Sequence, residues 1–515
     1  MSLLEEFLKI VRLHLPVVDR VIEQHGHTAL GDYLRSFFQE PTPSLQGKDD
    51  LLEVLKQLAE PLLGTTIADR AGRDLAKFPV ILTANHNGVD CISQSFQASL
   101  IFSLNVLQGA LSSKTICVFS CGNIPLNNYE YPRGLLLYHL HPERDGLTIR
   151  FPIFPDRLKR SMVSVTPGFD EAMIARAELL CDSMRRTGRV PQRLADTLYK
   201  LLHQDYADPS VLALPSFSEQ SVVLNHRIWK RVFNESTAAP ELINVEIERI
   251  VAALLEFDLF NTQSLAWCVM FDPQLRESVL LELDGKRGCW QLDKLAGCSF
   301  KNVQTARQGL GTVFFWGVDG CKRRVPLHLK LTGLAPATLS GIDDQGALFQ
   351  LPFTPQSLLE SLRSRRLLPS LFTCFLTLSF ARGFTCVGGY FQGGYLPAMQ
   401  QGLLQALDKT AGYKDVSRFV AQVPTDRYLS AIAAVLAGAD EYHLIPAGPI
   451  EIMAGGGIKG EDIERMLQIT VREAHLAGLF ETAPDGVPSQ LRPQGWEKRL
   501  ARECSELLRN KVAVK

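Results

Sequence analysis

The sequence predicts an α/β fold in which N-terminal helices precede a parallel βαβ-containing sheet, followed by a mixed β-hairpin and helical C-terminal half. The first observation is a pair of short apolar runs, 78–84 and 115–119, each ending at polar and glycine residues. The second is the helical spacing between them, from about 91 to 108, because strand, helix and strand in this order are typical of a parallel βαβ unit. The third is a set of glycine-containing turns after residue 311, which predict hairpins.

Composition bounds the class of protein. The chain has 515 residues, of which 46% are hydrophobic and 21% charged, as in a globular protein of two to four structural units. We expect no nucleic-acid partner, because the 54 Lys and Arg are balanced by 55 Asp and Glu and phosphate binding needs a basic surplus. Several of the eleven cysteines lie in apolar runs, which favours free thiols and a cytoplasmic location over a disulfide scaffold.

The longest apolar stretch, 367–381, indicates a buried helix and not a membrane span. It is only about fifteen residues long and is interrupted by Pro369, Thr373 and Ser379. The first six residues are acidic where a signal peptide would be basic. We expect no transmembrane segment; peripheral membrane contact stays open, and the sequence does not indicate an oligomeric state.

Changes of pattern divide the chain into four regions. Helical spacing dominates the first, strands and helices the second, hairpin signals the third, and helices with glycine-rich loops the fourth. The predicted boundaries are 1–77 for the N-terminal helical region, 78–265 for the α/β core with its helical extension, 266–360 for the β-hairpin-rich region, and 361–515 for the helical C-terminal region.

Within these regions the patterns predict further elements. Strands are expected at 148–154 and 162–166, and a helix is expected from near Asp170. The chain from there to about residue 260 reads as mostly helical. Hairpins are expected around Asp319-Gly320 and around Asp344-Gln345-Gly346.

The strongest chemical signal follows the first apolar run, at His86-Asn87-Gly88-Val89-Asp90. Ligands of open α/β sheets bind just beyond the carboxyl ends of the strands. There His86 can act as a general base, Asp90 can orient its imidazole, and Asn85 can contact the substrate. Alternatively, His86 caps the next helix and Asp90 makes a first-turn contact with the helix dipole.

Residues 80–86, Val-Ile-Leu-Thr-Ala-Asn-His, followed by Asp90, resemble the first motif of the glycerolipid acyltransferase family. The resemblance covers residues 78–170 and includes an echo of a second motif at Phe154-Pro155-Asp156-Arg157, where the family has Phe-Pro-Glu-Gly. It implies that His86 and Asp90 deprotonate an acceptor hydroxyl, which attacks an acyl thioester. Three residues separate His86 from Asp90, whereas that family has four; three is the spacing of plant-type acyl-CoA acyltransferases and of peptide-synthetase condensation domains.

A second polar cluster follows the second apolar run and should lie beside His86 if the two runs form parallel neighbours. Asparagine amides can hold a carbonyl or an oxyanion, and an arginine can hold a phosphate or a carboxylate. The cysteine either contributes to the substrate site, acts as a nucleophile with His86 as its base, or is a buried thiol in an Asn-rich turn. The candidate substrate-binding residues of this cluster are Cys121, Asn123, Asn127, Asn128 and Arg133.

Two glycine clusters, at 388–394 and 455–457, either let a ligand approach backbone amides or form tight turns between helices. Neither matches a phosphate-binding or dinucleotide fingerprint, so the cofactor stays unknown. No metal is expected, since Cys117 and Cys121 on one strand stand too far apart to chelate one ion.

These signals together predict an acyltransferase-like enzyme that acts on an activated small molecule or a lipid precursor. His86 would be its general base and an acyl thioester its donor. Two alternatives stay open: a non-catalytic ligand-binding or complex-forming protein, and a cysteine-dependent biosynthetic enzyme that uses Cys121.

Overall fold

The computed structural model describes residues 2–38, 44–109, 112–128, 133–140, 147–296, 311–332, 335–438 and 442–515. Its α-helices are α1 (Leu3–His14), α2 (Pro16–His25), α3 (Leu30–Arg35), α4 (Asp49–Leu63), α5 (Thr65–Lys77), α6 (Ser93–Leu107), α7 (Glu171–Arg186), α8 (Gln192–Leu201), α9 (Pro209–Leu212), α10 (Phe217–Val232), α11 (Ile247–Asp258), α12 (Leu265–Phe271), α13 (Pro273–Glu282), α14 (Leu292–Ala296), α15 (Pro355–Arg363), α16 (Leu371–Phe375), α17 (Gln392–Lys409), α18 (Lys414–Ala421), α19 (Pro449–Ala454), α20 (Gly460–Gln468), α21 (Val471–Ala477), α22 (Leu479–Gly486) and α23 (Trp496–Leu508). Its strands are β1 (Val80–Leu82), β2 (Thr115–Ser120), β3 (Gly134–Tyr138), β4 (Thr148–Pro152), β5 (Glu241–Glu246), β6 (Phe315–Val318), β7 (Arg324–Pro326), β8 (His328–Thr332), β9 (Ala335–Ile342), β10 (Leu348–Pro352), β11 (Leu367–Pro369), β12 (Thr385–Gly389), β13 (Tyr428–Ser430), β14 (Val435–Gly438), β15 (Leu444–Pro446) and β16 (Ala513–Val514).

A parallel sheet lies at the centre of the described chain, with five strands in the order β13-β12-β1-β2-β5. The predicted βαβ unit is confirmed: β1 and β2 are parallel neighbours, paired at Leu82 and Val118, and α6 joins them. From β1 the chain moves outward to β2 and β5, and later returns on the other side of β1 with β12 and β13. The α/β class predicted from the sequence is therefore correct.

The central sheet separates two hydrophobic cores, because successive side chains of a strand point to opposite faces. In β1, Val80 and Leu82 belong to one core and Ile81 belongs to the other. In β2, Val118 belongs to the same core as Val80 and Leu82, and Phe119 belongs to the core of Ile81. Both faces of the sheet are covered, which explains why these strands read as continuous apolar runs.

Small antiparallel sheets carry the predicted hairpins. The turn at Asp319-Gly320 joins β6 to β7, and the turn at 344–346 joins β9 to β10, as expected. The strand expected at 148–154 is β4, which pairs with β3 in a separate two-stranded sheet. The helix expected near Asp170 is α7, whose first turn is capped by the Asp170 carboxylate accepting from the backbone N–H of Met173.

Two local predictions are wrong. The segment 162–166 is a 3₁₀ turn over Val163–Val165 and not a strand, since the N–H groups of Val165 and Thr166 donate to carbonyls three residues earlier, over 3.3 and 3.1 Å. The stretch 367–381 is not one helix: it begins as β11, paired with β6, and continues as α16 and a π-helical turn. The break falls at Ser370, whose hydroxyl caps α16.

Three strands of the central sheet lie where the sequence pattern predicted helices, and β11, β14, β15 and β16 of the smaller sheets also lie in the C-terminal region. β5 falls inside the stretch read as mostly helical, and β12 and β13 fall in the C-terminal region. The central sheet thus draws strands from two of the predicted regions, 78–265 and 361–515. Of the helices in the described part of the chain, none combines the length and the apolar character needed to cross a bilayer.

Candidate functional site

A cavity of about 740 Å³ opens at the carboxyl ends of the parallel strands. Its lining includes Thr83 and Ala84 after β1, Gly389 at the end of β12, and Ser430 at the end of β13. The order of strands reverses between β1 and β12, since the chain leaves β1 toward β2 and later places β12 on the opposite side. Such a switch point is where open α/β sheets bind their ligands.

His86 and Cys121 line this cavity side by side. The two residues extend the pairing of β1 with β2 by one parallel bridge. The N–H of Cys121 donates to the Asn85 carbonyl over 2.8 Å, and the N–H of Asn87 donates to the Cys121 carbonyl over 2.7 Å. The next residue, Gly88, has φ = 137°, a conformation that favours glycine and turns the chain away from the sheet. The predicted proximity of the two strand ends is therefore present.

Asp90 is buried behind the cavity wall, at 5% exposure. Its carboxylate accepts from Asn85 Nδ2 over 2.7 Å and from Ser95 Oγ over 2.6 Å. Its backbone N–H donates to Asn225 Oδ1 over 2.8 Å. Because α6 begins at Ser93, Asp90 lies in the loop before the helix, and the orientation of His86 by Asp90 stays a prediction.

Sequence reasoning missed Glu246 and Glu248, which lie where β5 meets α11 and are both 1% exposed. Glu248 accepts from Cys121 Sγ over 3.3 Å and from the N–H groups of Gly122 and Asn123 over 2.8 and 3.1 Å. Burial and the nearby Glu246 raise the pKa of Glu248 to about 7. The sequence signal that could have found them is a pair of glutamates, one residue apart, directly after the mostly apolar run 242–245.

Burial, and then the charge of Glu248, raise the pKa of the Cys121 thiol well above its ordinary value. The thiol is therefore protonated at neutral pH and donates its hydrogen to Glu248. The charge of Arg324 acts in the opposite direction and lowers the pKa of this thiol. Arg324 donates to the Asn123 carbonyl over 3.3 Å, and its guanidinium stacks on the Trp316 ring at 4.7 Å. This arrangement does not favour a resting thiolate at Cys121.

The lining of the cavity combines apolar and charged side chains. The guanidinium of Arg287 stacks on the Phe391 ring at 3.9 Å. The Nε of Arg492 is buried and has no hydrogen-bond partner in the described part of the chain. The lining also contains negatively charged side chains. One of them, Asp485, accepts a hydrogen bond from the hydroxyl of Tyr390 over 2.5 Å. The apolar lining is formed by Ile92, Leu136, Leu147, Leu371, Phe391, Pro446, Phe480, Pro484 and Trp496, and the acidic lining by Glu481, Asp485 and Glu497.

The other predicted substrate-binding residues lie outside this lining. Asn123 is buried, and its Nδ2 donates to the Pro369 carbonyl over 2.7 Å. Asn127 is bonded through its N–H to the Lys159 carbonyl over 3.0 Å, and Asn128 Nδ2 donates to the Pro125 carbonyl over 3.0 Å. Leu126 and Asn127 thus bond to the backbone of residues 159–161, outside the cavity lining.

The side chain of Arg133 contacts residues 154 and 156 of the protein. Its φ of 63° is left-handed, and its Nη1 donates to the Phe154 carbonyl over 2.9 Å. Its Nη2 lies 3.5 Å from the carboxylate of Asp156. These contacts engage two of the three guanidinium nitrogens, and the binding of a substrate anion by Arg133 stays a prediction.

The two glycine clusters differ in their relation to the cavity. The first forms the end of β12 and the start of α17, and Gly389 lies in the cavity wall. The second is a tight turn in which Gly456 and Gly457 have φ of 90° and 76°. Gly457 packs on the backbone of residues 232–234, outside the cavity lining.

Within the described ranges, no three His, Cys, Asp or Glu side chains form a group that could hold a metal ion. Comparison of the chain with protein-family models, with curated proteins and with solved structures finds no match.

Proposed function

We propose that the protein is an acyl-transfer enzyme whose active site is the cavity at the ends of β1, β2 and β12, with His86 as its general base. The observation that carries this proposal is the position of His86 and Cys121 at the ends of two adjacent parallel strands, on the wall of one cavity of about 740 Å³. Acyl transfer needs a general base that removes a proton from the group attacking the acyl carbonyl. A histidine at this strand edge, beside a thiol, can supply that base.

The lining supports an amphipathic substrate. An acyl chain would lie against apolar side chains such as Leu136, Phe480 and Trp496. Arg287 and Arg492 of the lining would bind an anionic group of the donor or acceptor. An acyl thioester donor and a hydroxyl acceptor on a small molecule or a lipid precursor fit these two features.

The first test is the substitution His86→Ala. Removal of a general base lowers a rate by about two to four orders of magnitude, and we expect this loss in acyl transfer from octanoyl- or palmitoyl-coenzyme A. Release of coenzyme A, followed by liquid chromatography, is the measurement, with acceptors chosen from ligands that co-purify with the protein. The melting temperature should change little, because His86 lies half-buried at the cavity wall.

Asp90→Asn serves as the comparison. If Asp90 orients His86, this variant keeps more activity than His86→Ala, since it disturbs the base without deleting it. A wild-type protein that releases no coenzyme A from either donor, or a His86→Ala variant that keeps the full rate, would remove the support for acyl transfer.

A non-catalytic ligand-binding protein is the second candidate. It is favoured by the bonds that Asp90 makes to Asn85 and Ser95, which give this carboxylate a structural task inside the loop. In that case a co-purifying ligand stays bound to the wild-type protein without chemical change. Mass spectrometry of the bound molecule before and after incubation with acyl donors separates the two candidates.

A further inference from the structure

Cys121 occupies the cavity wall directly after β2, beside His86. Its side chain is only partly buried, whereas most of the other cysteines in the described part of the chain are fully buried. A sulfur nucleophile here would face the same bound substrate as His86.

Glu248 lies beneath this thiol in the first turn of α11. Its Oε1 accepts from Cys121 Sγ over 3.3 Å and from the N–H of Asn123 over 3.1 Å. Its Oε2 accepts from the N–H of Gly122 over 2.8 Å. Two backbone amides of the strand end therefore hold the carboxylate against the sulfur, in a position fixed by the main chain.

Burial and the charge of Glu248 oppose a free thiolate, so the sulfur proton has to pass to Glu248 as the bond from sulfur to the acyl carbon forms. Burial and Glu246 raise the pKa of Glu248 to about 7, so it accepts a proton more readily than an ordinary carboxylate. Burial and Glu248 raise the pKa of Cys121, and Arg324 acts in the opposite direction. Burial, and then the charge of Glu248, also raise the pKa of Cys374 in α16.

We infer that Cys121 is the covalent acyl carrier of the proposed reaction and that Glu248 accepts its proton. The inference rests on the proposed acyl transfer. Cys121 Sγ attacks the carbonyl carbon of an acyl thioester while its proton moves to Glu248. The carbon–sulfur bond of the donor then breaks, and the donor sulfur leaves with the proton from Glu248. His86 next deprotonates the acceptor hydroxyl, whose oxygen attacks the carbonyl carbon of the new thioester. The bond from that carbon to Cys121 Sγ then breaks, and the sulfur leaves as a thiol with the proton from His86. No oxidant or reductant takes part.

The test follows the acyl group on the intact protein. Full-length protein is mixed with octanoyl-coenzyme A, stopped with acid and examined by intact-mass and peptide mass spectrometry. We expect one octanoyl group on the peptide that contains Cys121, and none on the Cys121→Ser variant. Cys321→Ser is the matched control, because Cys321 is an exposed cysteine away from the cavity, and it should keep the adduct.

The variants of Glu248 and His86 separate the two steps. Glu248→Gln should slow acylation about a hundredfold or more and remove the rise in acylation rate as pH increases through about 7. His86→Ala should still become acylated and should accumulate the adduct, since only its transfer to the acceptor is blocked. If Glu248→Gln unfolds, Glu248→Asp keeps the carboxylate and should retain part of the rate and the pH dependence.

The outcomes distinguish the two proposals. Acyl transfer that depends on His86 but proceeds without an adduct on Cys121 overturns the inference and leaves the proposed function intact. An adduct on Cys121 that forms equally fast in Glu248→Gln overturns the part played by Glu248. Absence of any transfer in the wild-type protein overturns the proposed function itself.

Discussion

Two buried glutamates in this protein, Glu451 and Glu248, are held by backbone amides. Glu451 is 6% exposed, and it accepts from the N–H of Tyr138 over 2.9 Å and from the N–H of Gly448 over 3.0 Å. Glu248 is held by Gly122 and Asn123 in the same way. These bonds do not offset the loss of hydration, and burial raises the pKa of Glu451 to about 7. Each such residue therefore links stability to pH.

Stability should rise as the pH falls from about 8 to about 6.5. The pKa of Glu451 is about 7 in the folded chain and 4.5 as its ordinary value, so the folded state binds more protons in this range. Below about pH 6.5 the buried His475 acts in the opposite direction, because burial lowers its pKa to about 4 and the unfolded chain takes up the proton first. Urea unfolding as a function of pH is the measurement.

Glu451→Gln should reduce this slope in the window above about pH 6.5. Glu464→Gln, on the exposed face of α20, is the control and should leave the slope as in the wild type. Equal slopes in the wild type and in Glu451→Gln would show that Glu451 does not change protonation on folding in this range.

At the scale of elements, one side chain joins β1 to β12. Gln392 Nε2 donates to Thr83 Oγ1 over 2.8 Å and to the Cys386 carbonyl over 3.2 Å. The side chain crosses directly over Gly388, where a Cβ atom would lie 2.1 Å from Gln392 Cδ. The glycine at 388 thus makes room for the bridge between the two strands that flank the cavity.

Gly388→Ala should lower the free energy of unfolding by about 1–3 kcal/mol, because it displaces Gln392 and leaves buried polar groups without partners. Gly389→Ala is a matched control one residue away. There a Cβ would meet the Ser430 carbonyl at 3.4 Å, an ordinary contact, and we expect a change below about 0.5 kcal/mol. Chemical unfolding of both variants is the measurement, and similar losses in the two would contradict the role given to Gln392.

At the scale of the whole molecule, a buried ion cluster joins distant segments. Arg382 is completely buried, and its Nη2 lies 2.6 Å from Asp50 of α4 and 2.9 Å from Asp258 of α11. Its Nη1 also donates to the Thr377 carbonyl over 3.0 Å. The guanidinium connects helices of the N-terminal region, the α/β core and the C-terminal region on one face of the sheet.

Arg382→Met should lower the free energy of unfolding by about 3–5 kcal/mol, because it leaves Asp258 buried without its cation. Arg418→Met provides the contrast, since Arg418 and its partner Asp415 are 76% and 83% exposed. An exposed pair of this kind contributes about 0–1 kcal/mol. Calorimetry and urea unfolding measure both variants, and a stable Arg382→Met protein would show that the cluster is dispensable for the packing of these segments.

Local patterns in the sequence determined the neighbourhood of His86. The apolar runs at β1 and β2, with a helix between them, lie close enough in the chain for the parallel unit to be predicted. The contact of His86 with Cys121 followed from that unit. The hairpins and the start of α7 near Asp170 were also predicted from the sequence. Turn glycines and helix caps form contacts with residues only a few positions away in the chain.

Only the tertiary structure decided what faces His86 across the cavity and what lies beneath Cys121. β12 pairs with β1 although about three hundred residues separate them, and β5 brings Glu248 under the thiol. Short strands of this kind are held by burial on both faces, which depends on every element packed around them. The surroundings of Arg133 show the same: its residue type suggested an anion site, and only the folded chain places its Nη1 on the Phe154 carbonyl and its Nη2 near Asp156. Periodicity within a window of the sequence reports the face that a segment buries, whereas the partner of that face is set by the packing of the whole chain.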